Sequence, residues 1–99
     1  MLDKNKMRDL LHQKKYSEMN SIFYDSINKI IKAKLIKSNI EFNLDNNLSK
    51  NETILVKHFP RYKTLVSLIN EITQTEDVDA IDMLERYMNN YKIIKERLT

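Results

Sequence analysis

Apolar residues recur at steps of three and four over residues 16–39, the longest such pattern in the chain. A helix completes a turn every 3.6 residues, so positions with this spacing fall on one face. The apolar positions are Met19, Phe23, Ile27, Ile30 and Ile31. The opposite face carries Glu18, Asp25, Lys29, Lys32 and Lys37. The pattern predicts a long central helix with one apolar side, which faces the core, and one basic side.

A shorter helix is predicted before it, over residues 2–13. Met7, Leu10 and Leu11 give this segment an apolar stripe, and Asp3 is placed to cap its first turn. Residues 14–17 then form a junction in which Ser17 can cap the central helix. A single helix that continues through the junction is the alternative.

The helical pattern ends after residue 36, and Asn and Asp become frequent over residues 38–47. These side chains compete for backbone hydrogen bonds and favour turns. We therefore predict an ordered loop whose apolar residues pack on the remainder of the fold. Those residues are Ile40, Phe42 and Leu44.

A third helix is predicted to begin at Ser49, which has the capping-box spacing to Glu52. Pro60 interrupts this helix, because a proline ring clashes with the carbonyl group four residues earlier. An apolar stripe then resumes and continues to about residue 73. Its members are Tyr62, Leu65, Val66, Ile69 and Ile72.

A last helix is predicted to follow a turn, with Thr75 as its N-cap. Acidic residues in its first turn and basic residues in its final turns complement the helix dipole. Its apolar stripe comprises Ile81, Leu84, Met88, Tyr91, Ile94 and Leu98.

The composition supports helices throughout. The 99 residues include no glycine and one proline, whereas an all-β domain needs glycine in its tight turns. None of the four predicted helices is apolar enough to stand alone, so they are expected to pack together. The sequence therefore predicts one all-α domain over residues 1–99. It is an antiparallel four-helix bundle with a short first helix, a long central second helix and a Pro-kinked third helix.

The residues that are missing exclude several kinds of function. Without cysteine there are no disulfides, thiolate nucleophiles or cysteine-bound zinc, which fits a cytoplasmic location. Without glycine there are no glycine-rich phosphate-binding loops. We expect no cofactor, no metal, no signal peptide and no membrane-spanning segment.

Candidate catalytic groups are few. His12 and His58 fall in different predicted helices without a carboxylate at helical metal-site spacing, and we interpret both as ordinary structural or surface residues. The carboxylates within residues 76–85 could place Asp82 and Glu85 on one face. We interpret them as helix N-terminal charge on a solvated face, because an acid–base pair would need a desolvated member.

Lysines concentrate on and before the central helix of a chain whose net charge is +3. Such a strip could contact phosphates or an acidic partner protein, although lysine without arginine is a weak nucleic-acid signal. A solubilising surface is the simpler interpretation. The candidate contact residues are Lys14, Lys15, Lys29, Lys32 and Lys37. Met83 and Tyr87 are candidates for a groove or a dimer interface.

The central helix resembles the second helix of HEPN domains (higher eukaryotes and prokaryotes nucleotide-binding). The likeness rests on aromatic residues followed by the stretch Lys32-Ala33-Lys34-Leu35, and on Arg86 and Tyr91 late in the chain. HEPN ribonucleases carry an arginine and a histidine late in the fold and further apart. Here Arg8 and His12 have three residues between them and fall in the first helix. The resemblance therefore implies a non-nuclease member, often dimeric and often part of a toxin–antitoxin or defence pair.

The leading hypothesis is a non-catalytic helical bundle that acts by protein–protein contact and does not act as an enzyme. It could serve in a toxin–antitoxin or phage-defence system, or as an inhibitor or immunity protein, with another protein or a second copy as its partner. A nucleic-acid-binding module that uses the lysine face is the first alternative. A divergent HEPN-type ribonuclease that uses His12 or His58 is the second.

Overall fold

The computed structural model describes residues 2–41, 47–71 and 80–98, with side chains described over 2–41, 47–69 and 84–98. These ranges contain helices and no strand, which confirms the predicted all-α class. The helices are α1 (Lys4–His12), α2 (Tyr16–Lys37), α3 (Leu48–His58), a 3-10 helix (Pro60–Tyr62), α4 (Lys63–Glu71) and α5 (Ala80–Leu98).

Helix α2 is the element around which the others pack, since it contacts α1, α3 and α5. Its 22 residues extend over about 33 Å at the usual helical rise. That length accounts for most of the molecule's longest dimension of 40 Å. The predicted central helix is confirmed in position and in extent.

The core face of α2 repeats every four residues. A step of four turns a helix by about 40° more than a full turn, so the stripe winds around the helix axis. As a result, the two halves of α2 face different neighbours, with Phe23 against α5 and Asn28 against α3. Ile30, predicted on this face, is only half-buried at its edge. The fully buried members are Met19, Phe23, Ile27, Ile31 and Leu35.

Tyr87 of α5 is part of the core. Its side chain is fully buried, and its ring centroid lies 4.9 Å from that of Phe23. Burial, with a smaller effect from Tyr24, raises the pKa of Tyr87 to about 12. The phenol therefore stays protonated at neutral pH and donates a hydrogen bond to Asn20 Oδ1. The predicted interface role for Tyr87 is corrected accordingly, because its ring offers no surface to a partner.

The helix starts follow side-chain capping only in part. Asp3 caps α1 as predicted, since its carboxylate accepts from the backbone N–H groups of Asn5 and Lys6. Helix α2 begins after Lys15 without a side-chain cap, so the predicted cap at Ser17 is wrong. The chain enters α2 directly from the turn that ends α1, in which the N–H of Lys15 bonds to the carbonyl of Leu10.

Helix α3 begins earlier than the capping-box spacing predicted. Asn47 caps it, with its side-chain oxygen accepting from the N–H of Lys50 at 3.1 Å. Ser49 lies inside the first turn, and Glu52 is buried. Asparagine is as good an N-cap as serine. Asn47, two residues upstream, therefore took the cap position.

Pro60 separates α3 from α4, as its ring geometry requires. The chain leaves α3 at His58 and passes through the 3-10 helix that begins with Pro60. The predicted single kinked helix is therefore two helices. Among the loop residues, Ile40 packs against the core, whereas Phe42, Leu44 and the predicted cap Thr75 lie outside the described residues.

Two helices end in left-handed backbone without a glycine. Lys14 and Asn39 both have φ of 57°. After α1, the N–H of Lys15 bonds to the carbonyl of Leu10 at 2.9 Å, and after α2 the N–H of Ile40 repeats this bond to Leu35. This is the Schellman arrangement, which usually employs glycine. Asparagine tolerates the left-handed region, whereas lysine is strained there.

We expect Lys14→Gly to stabilise the protein by about 0.5–1 kcal/mol, because glycine relieves this strain. Gln13→Gly is the matched control, since Gln13 has right-handed backbone with φ of −84°. At position 13, glycine relieves no strain and only increases the conformational entropy of the unfolded chain. Gln13→Gly should therefore lower the free energy of unfolding. Urea unfolding at equilibrium measures both changes. An unchanged or lower free energy of unfolding in Lys14→Gly would contradict the assignment of strain.

Candidate functional site

A groove of about 360 Å³ lies between α1 and α5. Its apolar lining is formed by Leu11 of α1 together with Leu84 and Met88 of α5. Leu11 and Leu84 reach the surface only at their edges, while Met88 is half-buried. The groove therefore offers a shallow apolar surface with polar side chains along both sides.

The α1 side of the groove carries two positive charges, those of Lys4 and Arg8. Lys4, Arg8 and His12 all line it and are all exposed. They stand four residues apart, and side chains with this spacing follow one another along a helix face. Glu85 and Asn89 line the α5 side. A bound group with carboxylates on one side and apolar side chains beneath would match this lining.

The two histidines stand apart in the fold. His12 lines the groove beside Arg8, while His58 is exposed at the end of α3. No group of three or more potential metal ligands occurs among the described residues. Of the carboxylates considered for acid–base chemistry, Glu85 is exposed. The side chain of Asp82 lies outside the described residues, as does that of Met83, the other predicted interface residue.

The predicted lysines do not form one strip. Lys14 and Lys15 are exposed at the start of α2, and Lys37 is its last residue, about 33 Å away along the axis. Lys29 is exposed on the helix, whereas Lys32 is half-buried. Five helical positions separate Lys32 from Lys37, so their directions differ by about 140°. These lysines therefore belong to at least two surfaces.

A different cluster of cations was missed by the helix pattern because most of it lies outside α2. Arg61 lies over two aromatic rings, with its Cζ 5.6 Å from the Phe59 centroid and 4.9 Å from the Tyr62 centroid. Lys34 of α2 lies over the same Phe59 ring, with its Nζ 5.5 Å from the centroid. The sequence signal was present in residues 57–63, where basic and aromatic residues alternate around Pro60.

Polar residues also meet inside the core. The amide of Asn51 in α3 donates to Asn28 Oδ1 in α2 at 2.9 Å, and both side chains are buried. Glu52, which follows Asn51 in the sequence, is also buried. No buried side-chain nitrogen or oxygen in the described ranges lacks a hydrogen-bond partner. This pair joins α2 to α3 and has no access to a ligand, so we assign it to structure.

Comparisons with known protein families, with curated proteins and with solved structures found no match for this chain. None of the described helices is both long enough and apolar enough to cross a membrane.

Proposed function

We propose that this protein is a non-catalytic binding protein that acts by protein–protein contact, with the α1–α5 groove as its docking surface. The observation that carries the proposal is the combination of an apolar lining with Lys4, Arg8 and His12 along one side. The partner is a segment with apolar side chains on one face and carboxylates along the edge that meets α1. An amphipathic helix satisfies this description.

The charges of the groove give the partner an orientation. Arg8 can bind a carboxylate through two parallel hydrogen bonds, which adds geometric selectivity to attraction. Lys4 lies one helical turn before Arg8 and His12 lies one turn after it, so all three line the same side of the groove. Glu85 on the opposite side would repel an acidic edge. The acidic edge of the partner therefore lies against α1 and not against α5.

The proposal includes the arrangement of the helices. If α3 and α4 count as one bent member, the chain has the four members of the predicted antiparallel bundle. A place in a toxin–antitoxin or phage-defence pair, or a role as an inhibitor or immunity protein, remains a prediction. So do the HEPN resemblance and the cytoplasmic location, for which the cysteine-free sequence is the support.

Photo-crosslinking tests the groove directly, because the chain lacks cysteine and a single introduced thiol is unique. Asn89→Cys places a benzophenone in the groove, and Ser21→Cys places it on the exposed side of α2. In an extract of the native host, we expect a crosslinked protein with Asn89→Cys and none with Ser21→Cys. Adding Arg8→Glu should abolish it, because the reversed charge repels the acidic edge.

The mass of the crosslinked product also identifies the partner. A second copy would give a species at twice the chain mass of 11.9 kDa, which sedimentation at increasing concentration would confirm. Equal crosslinking at both positions, or crosslinking that survives Arg8→Glu, would contradict the groove as the docking surface. The ribonuclease alternative would use the same groove through Arg8 and His12, and RNA cleavage that is lost in His12→Ala would favour it instead.

A further inference from the structure

The basic–aromatic patch is a surface separate from the groove. We define it by Lys34, Phe59, Arg61 and Tyr62, together with Lys57 and Lys63, which flank the last three in sequence. Lys57, Arg61 and Lys63 are exposed, and Lys34 and Phe59 are half-buried. Contact between Lys34 and Phe59 ties the end of α2 to the α3–α4 junction. The patch therefore combines residues from α2, α3, the 3-10 helix and α4, with Phe59 at the junction after α3.

The two stretches of sequence that supply the patch contain no acidic residue. Residues 26–40 and 53–70 include seven Lys or Arg and no Asp or Glu. The neighbouring Glu52 is buried, so it adds no negative surface. Helices α2 and α3 pack together, which brings these two stretches side by side. Four of these cations, Lys34, Lys57, Arg61 and Lys63, belong to the patch, whereas Lys29 and Lys32 point to other sides of α2.

The aromatic part of the patch is held in place before any ligand binds. Pro60 restricts the backbone, and the N–H of Tyr62 bonds to the carbonyl of Phe59 at 3.0 Å. The two rings lie 5.7 Å apart, and Arg61 Nη2 donates to the Tyr62 hydroxyl at 3.1 Å. Arg61 is therefore held over the rings before any ligand binds, and its side chain is exposed.

We propose that the basic–aromatic patch binds single-stranded nucleic acid. Lysine ammonium groups neutralise phosphates, while the exposed Arg61 guanidinium, supported by the Phe59 ring, offers a planar cation on which an unpaired base stacks. A duplex would offer its phosphates but keep its base faces hidden. An acidic polypeptide would meet the charges but leave the stacking surfaces unused. This activity goes beyond the proposed docking role and uses none of its residues.

Fluorescence anisotropy with a labelled oligo-dT or oligo-U of about 15 nucleotides tests the proposal. Contact with about four phosphates of a single strand gives a salt slope near −3, so affinity should fall about fiftyfold between about 50 and 200 mM salt. Phe59→Leu should weaken binding by about fivefold or more, because it removes the ring that holds Arg61 in place for stacking, and stacking contributes that much per base. Circular dichroism of each variant confirms that it is folded.

Arginine variants separate local binding from overall charge. Arg61→Ala should weaken binding markedly, whereas Arg97→Ala, the same change at an exposed site in the last turn of α5, should have little effect. Arg61→Lys keeps the charge and removes the planar stack, so it should fall between wild type and Arg61→Ala.

Several results would overturn the proposal. Equal losses in Arg61→Ala and Arg97→Ala would mean attraction by net charge alone. Tighter binding to the matching duplex would mean contact with phosphates and not with bases. Displacement of the oligonucleotide by polyglutamate at equal charge concentration would assign the patch to an acidic protein. Absence of binding at about 50 mM salt would remove the activity altogether.

Discussion

Ile27→Asp should unfold the domain at neutral pH. Ile27 is fully buried at the middle of the core face of α2, where an unpaired carboxylate costs several kcal/mol, or about the whole stability of a small domain. The helical signal in circular dichroism should be lost or melt at a far lower temperature. Lowering the pH should restore part of it, since protonation removes the charge.

Ile36→Asp is the matched control on the same helix. Its side chain is 61% exposed, so the new charge stays in water and the change in stability should be within about 0.5 kcal/mol. If Ile27→Asp melted like Ile36→Asp, the core face of α2 would be misassigned. If both variants unfolded, loss of helix propensity would explain the effect better than a buried charge.

Asn51→Leu should destabilise the protein by about 1–3 kcal/mol, because it leaves Asn28 buried without its partner. The two side chains meet through a hydrogen bond of 2.9 Å, and Asn51 is fully buried. Asn28→Leu should cost a similar amount. The double variant should cost less than the sum of the two, because leucine is close in size and removes both polar groups together.

Equilibrium unfolding of wild type, both single variants and the double variant forms a double-mutant cycle. A coupling energy of about 0.5–3 kcal/mol is expected for two side chains in contact. Asn5→Leu serves as the control, since Asn5 is exposed on α1 and should not couple to Asn28. Additive effects of the Asn28 and Asn51 substitutions would show that the hydrogen bond contributes nothing to the packing of α2 on α3.

Helix positions could be predicted from sequence where burial is periodic. The apolar stripes of α1 and α2 agree with the buried residues, because a helix that buries one side must repeat its apolar residues at the helical period. Capping was less predictable. Asp3 stood alone at its helix start, whereas Asn47 and Ser49 were both suitable caps. Their cap preferences are alike, so residue type alone does not decide between such neighbours.

The candidate sites were harder to predict from the sequence than the helix positions. The sequence-based prediction grouped Lys29, Lys32 and Lys37 because they share a helix. Their directions around the helix axis differ, so they do not form one strip. The basic–aromatic patch depends on Lys34 reaching Phe59 across 25 residues of sequence. The groove likewise depends on α1 and α5, at opposite ends of the chain, lying side by side. No periodicity within one helix carries such information.

The sequence by itself determined that this chain is helical, that the longest of the described helices lies within residues 16–39, and which face of that helix is apolar. These are local properties, since they follow from residue spacing and from the absence of glycine. Tertiary structure decided which surfaces exist. It placed Tyr87 in the core, paired Asn28 with Asn51, and brought Lys34 of α2 over the Phe59 ring. Contacts between distant segments depend on how the helices pack, and that packing involves the whole chain at once.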